Sequence, residues 1–124
     1  MAIVRYPTTK PFPFSDGVKV NGFIFLSGQV SMTSEGEPLY GSVAQQTQRI
    51  MQSIAETLAR ANATLESVIK VQVWLSSMDH FSEFNTAYSA FFPDGFPART
   101  VVTSRLAFNL DVEIEVQAVA ECGE

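Results

Sequence analysis

The sequence predicts an α+β fold, in which helices cover one β-sheet. Two segments with helical spacing, several segments with strand alternation and one Asn-Gly hairpin signal support this class. Their order along the chain is β-β-α-β-α-β-β. Helices that return the chain to the same sheet can lie together on one of its faces. We therefore expect a single domain over residues 1–124, with two helices packed on one face of the sheet.

The first two strands are predicted from the stretch "VKVNGFIFLSG", residues 18–28. Asn21 and Gly22 stand between two β-prone runs, and this dipeptide is typical of a two-residue type I′ turn. The segment 31–42 is rich in Ser, Thr, Gly and Pro, which predicts a loop. Ser42 at its end is expected to be the N-cap of the first helix.

Both helices are predicted from apolar side chains spaced three or four residues apart. In the first, over 43–61, these positions are Val43, Ile50, Ile54, Leu58 and Ala61. The second is expected to begin at Asp79 as its cap and to end at Pro93 and Gly95. Its aromatic stripe is Phe81, Phe84, Tyr88 and Phe91, which is more often core packing than a ligand site.

The remaining strands are predicted by period-two alternation at 69–75, near 98–105 and at 111–120. In "FIFL" and "ARTVV" the alternate positions are apolar on both sides, so no register hides all of them behind two helices. A monomer would expose an apolar patch that soluble proteins usually bury against a partner. We expect the uncovered face of the sheet to associate with another chain.

Composition disfavours several classes of function. Thirteen acidic and eight basic residues give a net charge of −5, and the basic residues are scattered, which argues against nucleic acid and anionic lipid as partners. No apolar run approaches the roughly 20 residues of a membrane span, and the N-terminal sequence has no signal-peptide core, so we expect a cytoplasmic protein. The lone Cys122 cannot form an internal disulfide and is interpreted as incidental.

The residues alone leave one candidate site. His80 is the only histidine and is expected to be solvated or to cap a helix, which disfavours both a transition-metal site and a Ser-His-Asp triad. What remains is Arg99, with Glu113 and Glu115 on a strand expected to lie near it. Taken without other information, Arg99 is interpreted as a surface charge or a member of an ion pair.

Four stretches, taken together and in order, resemble the RidA (YjgF) family of small reactive-intermediate deaminases. They are "PFPFSDGVKVNGFIFLSGQV", "VIKVQVWLSSMDHFSEFNTAYSAFF", "FPARTVV" and "VEIEVQAVA", and the match runs from about Phe12 to Ala120. The resemblance implies a chorismate-mutase-like α+β fold, assembled as a homotrimeric barrel with its sites between subunits. It also implies hydrolysis of 2-imino acids and their enamine tautomers to 2-keto acids and ammonia, without a cofactor or a metal.

The resemblance also suggests substrate-binding residues. Arg99 matches the family arginine that pairs with the substrate carboxylate, and a planar guanidinium can hold a carboxylate through two parallel hydrogen bonds. Ser27 and Gly28 of "LSGQ" and Asn85 of "EFNTAY" match polar pocket positions. Asn85 could equally be an amide on the helix surface.

The water-orienting acid implied by the resemblance is Glu115, when the final "AVA" is aligned with the family, or Glu113 when the alignment shifts by two. Both side chains are expected on the same face of the last strand. Two departures concern the substrate pocket: Phe14 stands where the family carries tyrosine, and Val101 replaces a common cysteine. The backbone of Val101 can still bind substrate or water. The stretch "TSRLAFNLD" also differs from its family counterpart.

Two other functions stay open at this point. The protein could be a pathway-specific relative that acts on another amino- or imino-carboxylate, such as an aminomuconate-type compound. It could also be a non-catalytic module that binds or senses a carboxylate metabolite. An RNA-cleaving role is disfavoured by the acidic charge.

Overall fold

The computed structural model describes residues 2–120, so Cys122 lies outside the described residues. They form two helices and a seven-stranded sheet. The helices are α1 (Val43–Arg60) and α2 (Phe81–Ser89). The strands are β1 (Val4–Pro7), β2 (Ser15–Val20), β3 (Phe23–Leu26), β4 (Gln29–Val30), β5 (Val68–Leu75), β6 (Ala98–Thr103) and β7 (Val112–Val119).

The sheet has the strand order β1-β2-β3-β7-β5-β6, and the short β4 also pairs with β7. Only β5 and β6 are parallel, and the other pairs are antiparallel. Both helices pack against one face, where α1 and α2 side chains such as Ile54 and Phe84 share a core with Val71 and Ile114 of the sheet. The predicted α+β layering, with two helices on one face, is confirmed.

The local predictions for the hairpin and the first helix are also confirmed. Asn21 and Gly22 have φ angles of 52° and 79°, and a type I′ turn requires a positive φ at both positions. The Ser42 hydroxyl accepts a hydrogen bond from the Gln45 N–H, and the Gln45 side chain accepts one from the Ser42 N–H. This reciprocal pair is a capping box, which satisfies two N–H groups that the helix leaves free.

The start and the inward face of the second helix differ from the prediction. Asp79 is not the cap, because its own N–H donates to the Ser77 hydroxyl and a 3-10 turn over residues 78–80 precedes α2. At the other end α2 stops at Ser89, before the last aromatic residues. Once the chain leaves helical spacing, Phe92 rather than Phe91 becomes buried, while Phe81 is 40% exposed.

Two further features were not anticipated. Strand β1 was not predicted. It is only four residues long, ends in Pro7 and lies at the edge of the sheet, so its sequence gives little indication of a strand. His80 stands at the N-cap position of α2 without a capping hydrogen bond from its side chain, and its Nε2 lies 3.7 Å from Oδ1 of Asp111. That same oxygen accepts a hydrogen bond from the Ser76 hydroxyl at 2.7 Å.

The face of the sheet opposite the helices carries the apolar patch that the sequence predicts. Phe23 and Phe25 are 48% and 43% exposed, whereas Ile24 and Leu26 between them are buried among the core residues. At the far edge Val102 is 40% exposed. We call this surface the open face, defined by Phe23, Phe25, Trp74 and Val102.

Candidate functional site

The strand register places the predicted site residues on opposite faces of the sheet. Arg99 pairs with Val71, which is fully buried against the helices, so the two side chains share the helix-covered face. On β7, Glu113 pairs with Trp74, and Glu115 pairs with Gln72, on the open face. The expectation that Arg99 lies near the two carboxylates is therefore wrong within one chain, because β5 stands between β6 and β7 and the sheet separates the groups.

Aromatic rings of α2 hold the Arg99 guanidinium. Its central carbon lies 5.1 Å from the ring centre of Tyr88 and 5.8 Å from those of Phe84 and Phe81. Each distance is within the range of a cation–π contact. Among the described residues Arg99 forms no ion pair, so its charge is positioned but not neutralised. It lines a cavity of about 270 Å³ together with Asn85, Tyr88 and Phe96.

Two polar atoms beside this arginine are buried without a hydrogen-bond partner, the Asn85 Oδ1 and the Tyr88 hydroxyl. Such atoms are rare in folded proteins and often mark the place of a ligand or an ordered water. Burial raises the pKa of Tyr88 to about 12, against the opposing effect of Arg99, so the phenol keeps its proton at neutral pH. We call Asn85, Tyr88 and Arg99 the arginine half-site.

Tyr88 was assigned to the core stripe by the sequence, and its possible role in the site was missed. The only signal was the chemistry of tyrosine, since a buried hydroxyl requires a partner that a phenylalanine would not need. Asn85 is half-buried with an enclosed carbonyl oxygen, which differs from an amide on the helix surface. Val101 lies two residues beyond Arg99 on the same strand face and shares a shallow groove with it.

A second cavity, of about 360 Å³, contains Phe14, Gly28 and Glu113. We call these three residues the carboxylate half-site. A Cβ atom at Gly28 would collide with the Glu113 carboxylate, so a larger residue at this position would displace that carboxylate from its present place beside the chain. Burial, followed by the negative charge of Glu115, raises the pKa of the Glu113 carboxyl.

Lys10 also lines this second cavity and was missed by the sequence analysis. Its ammonium group donates to Oε1 of Gln29 at 3.1 Å. Burial lowers the pKa of Lys10, and the charge of Asp16 partly opposes that effect. The only sequence signal for Lys10 was its place four residues before Phe14.

The two remaining predicted residues lie close to this cavity without lining it. The Ser27 hydroxyl donates a hydrogen bond to the Ser15 carbonyl of β2 at 2.6 Å, so its proton is already engaged within the chain. Glu115 lines a separate polar groove on the open face, together with Gln72 and Trp74. The structure thus groups Glu113, rather than Glu115, with Phe14 and Gly28.

Within residues 2–120, no cluster of three or more His, Cys, Asp and Glu side chains is arranged to hold a metal ion. In the same range, no helix is both long and apolar enough to cross a membrane.

The fold and the two half-sites define a small α+β protein with a surface cavity, where Arg99 forms no ion pair with any other described residue. The sequence model of the family described as Endoribonuclease L-PSP matches residues 8–122. The chain belongs to this family, which is the YjgF/RidA family.

Similar proteins agree with this assignment. A RutC family protein of Pyrococcus abyssi is 40% identical over 110 residues, which cover 87% of this chain and 85% of the relative. The mitochondrial protein Mmf1 of Saccharomyces cerevisiae is 36% identical over 107 residues, covering 86% and 74%. The crystal structure of yeast Mmf1 superposes with a TM-score of 0.91 at 33% identity, covering 97% of this chain and all of that one. The Rid-family protein YyfA of Yersinia pestis has a TM-score of 0.89 at 27% identity, covering 96% and 100%.

Proposed function

We propose that this protein hydrolyses 2-imino acids and their enamine tautomers to 2-keto acids and ammonia. The unpaired Arg99 guanidinium, held by three aromatic rings beside two unsatisfied polar atoms, is the observation that supports it. A guanidinium fixed in this way can form two parallel hydrogen bonds with a substrate carboxylate. Family membership supports the same chemistry through the resemblance of the motifs around Arg99 and the last strand.

The proposed active form is a homotrimer whose sites lie between subunits. The sheet keeps Arg99 away from Glu113 and Glu115 within one chain, so a complete site needs a second copy. The exposed Phe23 and Phe25 on the open face provide an apolar surface for that contact. In a closed ring of three chains, each arginine half-site would face the carboxylate half-site of a neighbour.

The reaction needs little from the protein, because a protonated imine is already electrophilic. One carboxylate of β7 takes a proton from a water molecule, whose oxygen then bonds to C2 of the iminium. The carboxyl then returns its proton to the nitrogen of the resulting carbinolamine. The C–N bond breaks as the hydroxyl oxygen forms the C=O bond and gives its proton back to the carboxylate. Ammonia and the 2-keto acid leave, and the carboxyl passes this last proton to the ammonia or to water. Such acid–base assistance contributes roughly 10²- to 10⁴-fold in rate.

The motif alignment assigns the water-orienting role to Glu115, and the cavity lining favours Glu113 as the alternative. Glu115 is retained as the proposed base. Glu113, whose pKa is raised by burial and by Glu115, lines the cavity and is given no role in proton transfer. The backbone groups of Val101, beside Arg99, are available to bind substrate or water.

A trapping assay tests the proposal. An amino acid oxidase generates the imine, semicarbazide captures it, and the protein is added at increasing concentration. The expected result is less semicarbazone and more ammonia with wild-type protein, and no change with Arg99→Ala. If neither variant affects the trapping, hydrolysis of these imines is ruled out. Binding of 2-keto acids without turnover would then identify a sensing module, and turnover of another amino-carboxylate alone would identify a pathway-specific enzyme.

A further inference from the structure

The cavity of the carboxylate half-site has an apolar wall made of three phenylalanines. The rings of Phe12 and Phe14 stack with centroids 6.5 Å apart, and Phe108 lies 6.1 Å from Phe12 at a tilt of 47°. Val30 and Met32 extend the apolar lining. We call Phe12, Phe14 and Phe108 the aromatic wall. None of the three belongs to the main hydrophobic core, so these rings pack against one another at the cavity and not between the sheet and the helices.

Phe108 occupies a backbone conformation that phenylalanine rarely adopts. Its φ and ψ are 61° and 18°, and the following Asn109 also has a positive φ of 56°. A bulky side chain in this left-handed region is a strained outlier, and such outliers persist only where surrounding contacts impose them. Here the Tyr40 hydroxyl donates to the Phe108 carbonyl at 2.7 Å.

The Phe108 ring is 44% exposed, so the strain is not offset by burial in a core. The strained backbone instead directs this ring to the rim of the cavity, against Phe12. The backbone conformation of Phe108 is unfavourable by itself, and it leaves an apolar ring exposed on the single chain. This combination indicates a surface that binds an apolar group.

The cavity is too large and too apolar for a methyl group alone. The cavity volume is about 360 Å³. A methyl side chain would fill little of this space, whereas a benzyl or isobutyl group would fill more of it and contact the rings. Lys10 and Glu113 line the same cavity, and Glu115 lies two residues beyond Glu113 on the same face of β7, in a separate groove. A side chain bound at the aromatic wall would bring the adjacent reacting carbon toward this face of β7.

We infer that the aromatic wall binds the substrate side chain and selects 2-imino acids with large apolar side chains, aromatic or branched, over those with a methyl or hydroxymethyl group. This inference rests on the proposed function, because it assigns a binding site to the side chain of the same substrate whose carboxylate Arg99 binds. Burying such a side chain favours the large substrate by about ten- to a hundred-fold.

The test compares imines generated from alanine, leucine and phenylalanine with wild-type protein and with Phe108→Gly. Glycine accepts a positive φ without strain, so this variant removes the ring and should keep or raise the melting temperature. Wild-type kcat/KM is expected to be at least about ten-fold higher for the phenylalanine imine than for the alanine imine. Phe108→Gly should lower the first value by about ten-fold and leave the second unchanged. Ile3→Ala, an exposed apolar residue outside both half-sites, is the control.

A binding arm separates this inference from the proposed function. Calorimetry measures the affinity of wild-type protein and Phe108→Gly for pyruvate and for phenylpyruvate, which are stable products of the reaction. Tighter binding of phenylpyruvate that is lost in Phe108→Gly supports the side-chain site even if no imine is hydrolysed. Equal affinity for the two keto acids, or an equal loss of both in the variant, overturns the inference even if imines are hydrolysed.

Discussion

Replacing Arg99 is the sharpest perturbation of the proposed site. In Arg99→Ala the substrate carboxylate loses two charge-assisted hydrogen bonds, each of which contributes about 1.5–3 kcal/mol. The total, about 3–6 kcal/mol, corresponds to a loss of about 10²- to 10⁴-fold in kcat/KM. Arg99→Lys should recover little, because a single ammonium cannot reproduce the two-pronged geometry.

The fold should survive this substitution, so the effect can be assigned to the site. Arg99 contacts the rings of Phe81, Phe84 and Tyr88 at its guanidinium, and cation–π contacts contribute about 0.5–1 kcal/mol at exposed positions. That loss is small beside the 5–15 kcal/mol that ordinarily stabilise a domain. Circular dichroism and thermal unfolding of Arg99→Ala should therefore show a folded protein.

The assay is steady-state imine hydrolysis with semicarbazide as the competing trap, together with calorimetric binding of the keto acid. Arg5→Ala, which removes an exposed arginine from the edge strand β1, is the matched control and should behave as wild type. Wild-type kcat/KM in folded Arg99→Ala would refute the assignment of this residue as the carboxylate anchor.

The remaining predictions concern the carboxylates and the assembly. Glu115→Gln should lower kcat by roughly 10²- to 10⁴-fold with little change in keto-acid affinity, because a group acting on water contributes mainly in the transition state. Glu113→Gln should be nearly silent in the same assay, and the reverse result would transfer the role to Glu113. Burial also raises the pKa of Glu113 in the folded state. The contribution of the neutral carboxyl to the free energy of unfolding is therefore full below the unfolded pKa of about 4.3, and it is lost as the pH rises through the folded pKa. Glu113→Gln should therefore have a higher melting temperature than wild type at pH 7 and nearly the same melting temperature near pH 4. Glu37→Gln, an exposed control with the same change of charge, should raise the melting temperature less at pH 7. An equal difference in melting temperature between Glu113→Gln and wild type at both pH values would contradict this reasoning. Sedimentation should give a mass near three times 13.6 kDa, and an active monomer at high dilution would exclude a shared site. A 1:1 mixture of Arg99→Ala subunits with Glu113→Gln/Glu115→Gln subunits, refolded together, should regain about a quarter of wild-type activity, because one interface in four combines two intact half-sites in a randomly assembled ring.

Local chemistry alone determined several elements of this protein. The Asn21-Gly22 turn follows from the ease with which these two residues adopt positive φ angles, and the start of α1 follows from the reciprocal bonds of Ser42 and Gln45. The apolar stripe of α1 follows from helical periodicity and needs no knowledge of its partner. These features depend on residues only a few positions apart, which is why the sequence predicts them well.

The tertiary structure decided how the site residues are grouped. The motifs identified Arg99, Glu113 and Glu115. In the folded chain β5 lies between β6 and β7, and the strand register places the arginine on the opposite face of the sheet from both carboxylates. Side-chain alternation shows which residues of one strand share a face, and only the register between strands shows which face that is.

Burial and backbone strain likewise could not be predicted from residue order. Tyr88 has the spacing of a core residue, and only the packed structure leaves its hydroxyl without a partner beside Arg99. Phe108 would be expected in an ordinary conformation, and the contacts of a distant residue, Tyr40, hold its backbone at a positive φ. The sequence by itself determined the class of fold and the residue types of the site. Long-range packing decided where those residues lie, because it depends on contacts between segments that are far apart in the chain.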